Sequence, residues 1–197
     1  LHQEEEVLSG DWEASGPVKI QTETGEYQAD KLLFASGAWS GELGKKFGLE
    51  IKVQPRRGQM VRFRHPDLHS IPVVKEGDRF LVPRAGEEVL VGATMDPSAG
   101  FSAEIRPRET EKLMDFVERV TGCSSPEILR AWVGLRPYAM KKGGPFLGPV
   151  PGSPSVYLCV GHYRNGITQG PVTARFVVDS MLGREPAIPL DDYRFDR

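Results

Sequence analysis

"SVYLCVGHYRNGITQGPVTARFVVDSML", residues 155–182, decides how this chain is read. Ser155–Val160 is an almost unbroken apolar run of strand length, as strands covered on both faces tend to be. From about Thr168 to Leu182 the apolar residues fall at helical spacing, with Pro171 tolerable in the first turn and Gly183 past the end. Between them lie Gly161, His162, Tyr163, Arg164, Asn165 and Gly166. A helix N-terminus presents backbone N–H groups with no partner inside the helix, and the helix dipole adds partial positive charge there. Glycines let a ligand approach the backbone closely, Asn165 can cap, and Arg164 adds a charged fork of donors. Such a corner suits an anion, or a ring carbonyl that gains negative charge during a reaction. An ordinary capped helix after a tight turn has the same spacing, so the residues alone leave both readings open.

Outward from this corner the chain mixes helix and strand. "PVKIQTETGEYQADKLLFASG" (17–37) reads as a hairpin turning at Thr24-Gly25, followed by a covered strand. "WSGELGKKFGL" (39–49) is a short helix with Ser40 as its cap. "IKVQPRRGQMVRFRHP" (51–66) holds two strand pieces, and "RFLVPRAGEEVLVGATM" (79–95) is a hairpin turning at Ala85-Gly86-Glu87. "RPRETEKLMDFVERVTG" (106–122) is the strongest helix pattern, with Leu113, Phe116, Val117 and Val120 on one face and Gly122 as terminator. A strand follows over "ILRAWVGLRPYAM" (128–140). Antiparallel-looking strands thus lie mid-chain, between flanks that look like pieces of a layered α/β domain. The expected class is α+β to α/β, with an antiparallel-sheet domain over 50–144 inserted between 1–49 and 145–197.

Composition narrows the function classes. The chain has 197 residues, enough for one sizeable domain or two small ones, with 39% hydrophobic and 26% charged residues. A net charge of −2 gives no electrostatic reason to propose nucleic acid or an anionic membrane as partner. No apolar run approaches the ~20 residues of a membrane span. The start "LHQEEEVLSG" is acidic where a signal peptide is basic, and Cys123 and Cys159 have no ligand-like spacing. A cytoplasmic protein with two reduced thiols is expected.

"GHYRNGIT" (161–168) followed by Pro171 resembles the C-terminal flavin motif of the FAD-dependent amine oxidases, the family that includes glycine oxidase, D-amino-acid oxidase and monomeric sarcosine oxidase. Four further stretches resemble that family in the same order: "ADKLLFASGAWS" (29–40), "QPRRGQ" (54–59), "FLVPR" with "VLVGATM" (80–84 and 89–95), and "AWVGLRP" (131–137). The match is best with glycine oxidases, including forms tied to thiamine biosynthesis. The family opens with a strand, G-x-G-x-x-G and a helix that grip the FAD pyrophosphate, and this sequence contains no G-x-G-x-x-G. The chain therefore resembles the C-terminal half of such an enzyme. The flanks are then an incomplete Rossmann-like FAD-binding domain and the middle a substrate-binding domain. Partners would be a small amino acid and the missing N-terminal FAD-binding segment, with homo-oligomerisation left open.

The resemblance also implies residue roles. Arg136 would pair with the substrate carboxylate through two parallel hydrogen bonds, with Arg164 and Tyr163 close to substrate and flavin. His162, Tyr163, Arg164, Asn165, Gly166, Ile167 and Thr168 would face the FAD, mostly through backbone N–H groups. Ser36, Gly37, Ala38 and Trp39 would run along the cofactor, and Val7 would touch its adenine end. Phe80 and Met95 would line the substrate pocket. Glycine oxidases carry a tyrosine at the Phe80 position, so its hydroxyl is unavailable here, and Tyr163 or Tyr138 would have to substitute. Read without the resemblance, Trp39, Phe80 and Met95 are equally core residues, His162 a structural histidine, and Val7 a strand residue before a turn. No side chain is implied as a catalytic acid, base or nucleophile, because the flavin carries the hard step. The implied activity is oxidative deamination of glycine, sarcosine or another small amino acid by hydride transfer to FAD, with hydrogen peroxide formed. Alternatives are a dehydrogenase of the same family, or a folded inactive fragment that needs a partner chain with the pyrophosphate site. Alone, the chain is expected to be inactive and to hold FAD weakly or not at all.

Overall fold

Strand β11 (Ser153–Val160) carries the apolar run, and its two faces explain its composition. A computed structural model of the chain describes residues 2–13, 16–68, 70–140 and 144–196. On one face of β11, Val156, Leu158 and Val160 join Phe34, Phe47, Ile51, Val53 and Phe146 in a buried cluster. On the other, Tyr157 meets Val177 of helix α3 (Gly166–Met181). A strand covered on both sides has no position for a polar alternation. β11 pairs antiparallel with β10 (Phe146–Val150) and parallel with β4 (Leu32–Phe34), in register Val156↔Leu32 and Leu158↔Phe34. The parallel pairing is what "KLLFASG" suggested.

The chain divides into two compact units, one formed by Leu1–Pro55 with Arg136–Arg197, the other by Arg56–Leu135. Both borders fall inside long strands rather than in the loops near 49/50 and 144/145. The first unit holds the β10-β11-β4 sheet and a second antiparallel sheet of β1 (Val7–Trp12), β2 (Val18–Thr22) and β3 (Glu26–Ala29). Gly10 of β1 lies under the Phe47 ring, where a Cβ would come within 1.8 Å of a ring carbon, so only glycine fits. A short 3₁₀ turn, Gly37–Trp39, runs directly into α1 (Ser40–Lys45). Ser40 is therefore not the cap. It is the first helical residue, fully buried, and its hydroxyl donates to the Gly37 carbonyl at 2.7 Å.

The second unit is built on one antiparallel sheet of order β6-β7-β8-β5-β9, comprising β6 (Val74–Glu76), β7 (Arg79–Pro83), β8 (Glu88–Gly92), β5 (Val53–Arg64) and β9 (Glu127–Ala139). β5 is one continuous strand, not two pieces: Pro55 sits near its start, where a missing N–H interrupts least. Val61, Phe63, Leu81, Val89 and Val91 all point to one face and meet Leu113, Phe116 and Val117 of α2 (Pro107–Thr121). α2 ends at Gly122 in the left-handed conformation, φ 74°, as the sequence suggests.

Under this helix lies a buried polar network. Arg57 is fully buried, and its guanidinium donates to Glu109 at 2.5 Å, to Gln59 at 3.2 Å and to the Glu104 carbonyl. The Thr94 hydroxyl donates to the same Glu109 oxygen at 2.8 Å, and Gln59 donates to the Arg106 carbonyl and the Thr110 hydroxyl. Arg106 pairs with Asp96 at 2.5 Å. Hydrogen bonds from Ser98 and Arg106 hold the Asp96 carboxyl down to about 2. "QPRRGQ" is thus in part a core segment, which its polar composition disguises.

Candidate functional site

The corner after β11 is shaped by its glycine. Gly161 has φ +88°, and a Cβ there would come within 2.9 Å of the Ala139 Cβ. Only glycine allows β9 and β11 to cross this closely. Tyr163 is also left-handed, φ +54°, and is held there by its N–H, which donates to the Pro137 carbonyl at 2.8 Å. A bulky residue in this conformation is strained, and such strain collects at functional positions. The Tyr163 ring meets Tyr138 edge-on at 5.2 Å, and the Arg164 guanidinium lies over the Tyr163 ring at 5.1 Å. Arg164 is therefore oriented even though it is exposed.

Helix α3 begins two residues earlier than the spacing suggests, at Gly166. Pro171 consequently sits in the second turn, where its missing N–H leaves the Ile167 carbonyl without its helical donor. Asn165 occupies the N-cap position but its side chain makes no cap bond; its N–H donates to the His162 carbonyl at 3.0 Å instead. Its φ of −101° and ψ of 6° lie outside the extended region from which a side chain reaches back to the first turn. Among the described residues, the N–H groups of Gly166, Ile167 and Thr168 have no hydrogen-bond partner. Ile167, at 97% exposure, stands beside them in the open.

Beneath the corner, His162 Nε2 lies 2.9 Å from the Thr173 hydroxyl inside α3. That hydroxyl is also within hydrogen-bond distance of the Gln169 carbonyl at 3.0 Å and the Gly170 carbonyl at 3.2 Å. Burial pushes the His162 pKa down. Its side chain is thus committed to α3, while its backbone forms a bridge with Tyr138. A cavity of about 340 Å³ runs along this region, lined by Tyr138, Gly161, His162, Tyr163, Asn165 and Gln169 among others.

Arg136, half-buried on β9, belongs to the same unit as the corner, and so do Ser36, Gly37, Ala38, Trp39 and Val7. Ala38 is buried, whereas Trp39 is 53% exposed and does not pack into the core. The Val7 carbonyl accepts from Lys46 Nζ at 2.7 Å. Phe80 and Met95 belong to the other unit, both half-buried. Phe80 pairs with Gly92, where an added Cβ would come within 3.1 Å of the ring. What sequence reasoning missed is the left-handed Tyr163 and its edge-on contact with Tyr138, because the residues that hold Tyr163, Pro137 and Tyr138, are distant in sequence.

Residues 1–180 match the model of a family described as FAD dependent oxidoreductase. The chain belongs to this family. Among members, the glycine oxidase of Pseudomonas aeruginosa is 37% identical over 95% of this chain and 51% of its own length. The glycine oxidase of Geobacillus kaustophilus is 31% identical over 100% of this chain and 52% of its own. The crystal structure of glycine oxidase from Geobacillus kaustophilus superposes with a TM-score of 0.88 at 28% identity, over 100% of this chain and 53% of that one. A bifunctional ThiO/ThiG protein of Nostoc is 33% identical over 91% of this chain. The chain spans about half the length of the glycine oxidases it matches. The open N–H groups at Gly166, Ile167 and Thr168 fit the family's cofactor, whose ring carbonyl and N1 region accept hydrogen bonds. No helix among the described residues is long and apolar enough to cross a membrane.

Proposed function

We propose that this chain is the part of a flavin-dependent oxidase of glycine, sarcosine or another small amino acid that carries the substrate arginine and the flavin-facing corner. The observation that supports it most is the open first turn of α3, three unpartnered N–H groups behind two glycines. The relatives named glycine oxidase supply the substrate class. When bound, FAD would accept two electrons from the amine α-carbon and pass them to O2 to give hydrogen peroxide, while water hydrolyses the imine left behind to an oxo acid and ammonia, or a primary amine from an N-substituted substrate. Gly166, Ile167 and Thr168 would offer their N–H groups to the flavin ring, where they would stabilise developing negative charge. Arg136 holds the substrate carboxylate in a bidentate pair, and Arg164, steadied by Tyr163, adds positive charge beside it. Phe80 and Met95 supply apolar surface to the substrate.

In this reading Leu1–Pro55 with Arg136–Arg197 works as an incomplete FAD-binding domain. Arg56–Leu135, inserted in its chain, works as the substrate domain. The G-x-G-x-x-G that grips the FAD pyrophosphate in this family does not occur in the 197 residues, so this stretch by itself would be inactive. The test is oxygen uptake and peroxide release by the complete protein with glycine, sarcosine, D-alanine and L-proline. Turnover of none of them, in a preparation that holds stoichiometric flavin, would overturn the assignment.

A further inference from the structure

The face of the second unit's sheet that turns away from α2 carries a site that the flavin reading does not use. Side chains alternate along each strand, so Val61, Phe63, Val89 and Val91 point to α2 while Arg62, Glu88 and Leu90 point the other way. Arg62 and Leu90 are directly opposed in the register, and Leu90 is opposed to Val82 on the next strand. On this face a cavity of about 480 Å³ is lined by Arg62, Arg84, Arg130, Glu88, Leu90 and Trp132, with Ala85 from the hairpin turn. That volume is within the range of small-molecule sites. All the lining residues belong to one unit.

Three guanidinium groups share this cavity with one carboxylate, although the chain as a whole carries a net charge of −2. The one carboxylate is engaged: Glu88 pairs with Arg62 at 3.4 Å. Arg62 Nε is closed off from solvent without a hydrogen-bond partner. Among the described residues, Arg84 and Arg130 have no ion pair at all. Like charges gathered in one cavity repel one another, and a bound anion relieves that. Guanidinium forks match carboxylate and phosphate oxygens in pairs. Trp132 and Leu90 give the same cavity a flat aromatic and an aliphatic wall, which a free inorganic ion would leave unused.

We propose that this cavity binds a small organic anion, a phosphate or carboxylate joined to a flat or apolar body, with the charged end at Arg84 and Arg130 and the body against Trp132. The proposal does not depend on the flavin reading. The probe is phenyl phosphate, followed through the indole N–H resonances of Trp12, Trp39 and Trp132 in the ¹⁵N-labelled 197-residue chain, assigned by single Trp→Phe variants. The Trp132 resonance should shift and saturate, while those of Trp12 and Trp39 stay in place. Arg84→Gln with Arg130→Gln, both at exposed positions, should weaken binding by about tenfold or more with an unchanged circular dichroism spectrum. Inorganic phosphate should bind at least about tenfold more weakly than phenyl phosphate, since it leaves the apolar wall unused. Equal affinity for the two phosphates, or an unchanged titration in the double variant, would overturn the proposal. So would a Trp132 resonance that moves with an oligoglutamate peptide and not with phenyl phosphate, which would make the surface a protein-docking site instead.

Discussion

At Gly166 a single hydrogen atom keeps the first turn of α3 open. A Cβ there would meet only the His162 Cβ, at 3.5 Å, so the fold itself tolerates a side chain. Gly166→Val in the complete enzyme should therefore leave stability nearly unchanged and impair flavin retention, because the side chain intrudes where backbone meets ring. Retention of stoichiometric flavin and normal turnover would reduce the corner to a plain helix start. Arg136→Ala should weaken apparent substrate binding by about 2–4 kcal/mol with flavin binding little changed; steady-state kinetics beside flavin titration separates the two. His162 gives a pH effect of defined sign. Its pKa is lowered by burial from an ordinary 6.5, so the unfolded chain takes up a proton first as pH falls. Stability from the neutral ring is complete above 6.5 and is lost as pH drops through that value toward the depressed folded one. Urea midpoints between pH 5 and 8 should decline on the acid side, and His162→Gln should flatten that decline.

Element packing buries an ion pair of the second unit between β5 and α2. Arg57 is fully buried and its ion-pair partner is Glu109. Removing the carboxylate strands a guanidinium that has no route to water, so Glu109→Ala should destabilise the protein by about 3–5 kcal/mol. A denaturation midpoint within error of the parent would show that the carbonyl of Glu104 and the amide of Gln59 suffice. The neighbouring Asp96 carboxyl, ordinarily at 3.8 and held at about 2, stabilises the fold above 3.8 and loses that effect as pH falls toward 2.

On the scale of the whole molecule, the chain is two units whose cores are made of different residues. Relatives of about twice this length belong to the same family. The chain purified alone should be colourless. Co-expression with a polypeptide that carries a strand, G-x-G-x-x-G and a helix should restore bound flavin. Stoichiometric flavin in the isolated chain would mean that the corner and its surroundings hold FAD without a pyrophosphate grip.

The corner, the covered strand before it and the α2 pattern are legible in the order of residues, because apolar periodicity and glycine are local signals. That order also carried the family, through short motifs spread over the chain. It takes the folded chain to show that Arg57 is core, that β5 runs unbroken through Pro55, and that the unit borders lie inside β5 and β9. The fold alone moved the start of α3 to Gly166, left Ser40 and Asn165 without capping roles, and stacked Arg164 on Tyr163. Burial of Arg57 against Glu109 and the hold of the Pro137 carbonyl on Tyr163 are set by partners far away in the chain. The fates of Ser40 and Asn165 and the seat of Arg164 turn on backbone angles of neighbouring residues, which apolar periodicity does not record.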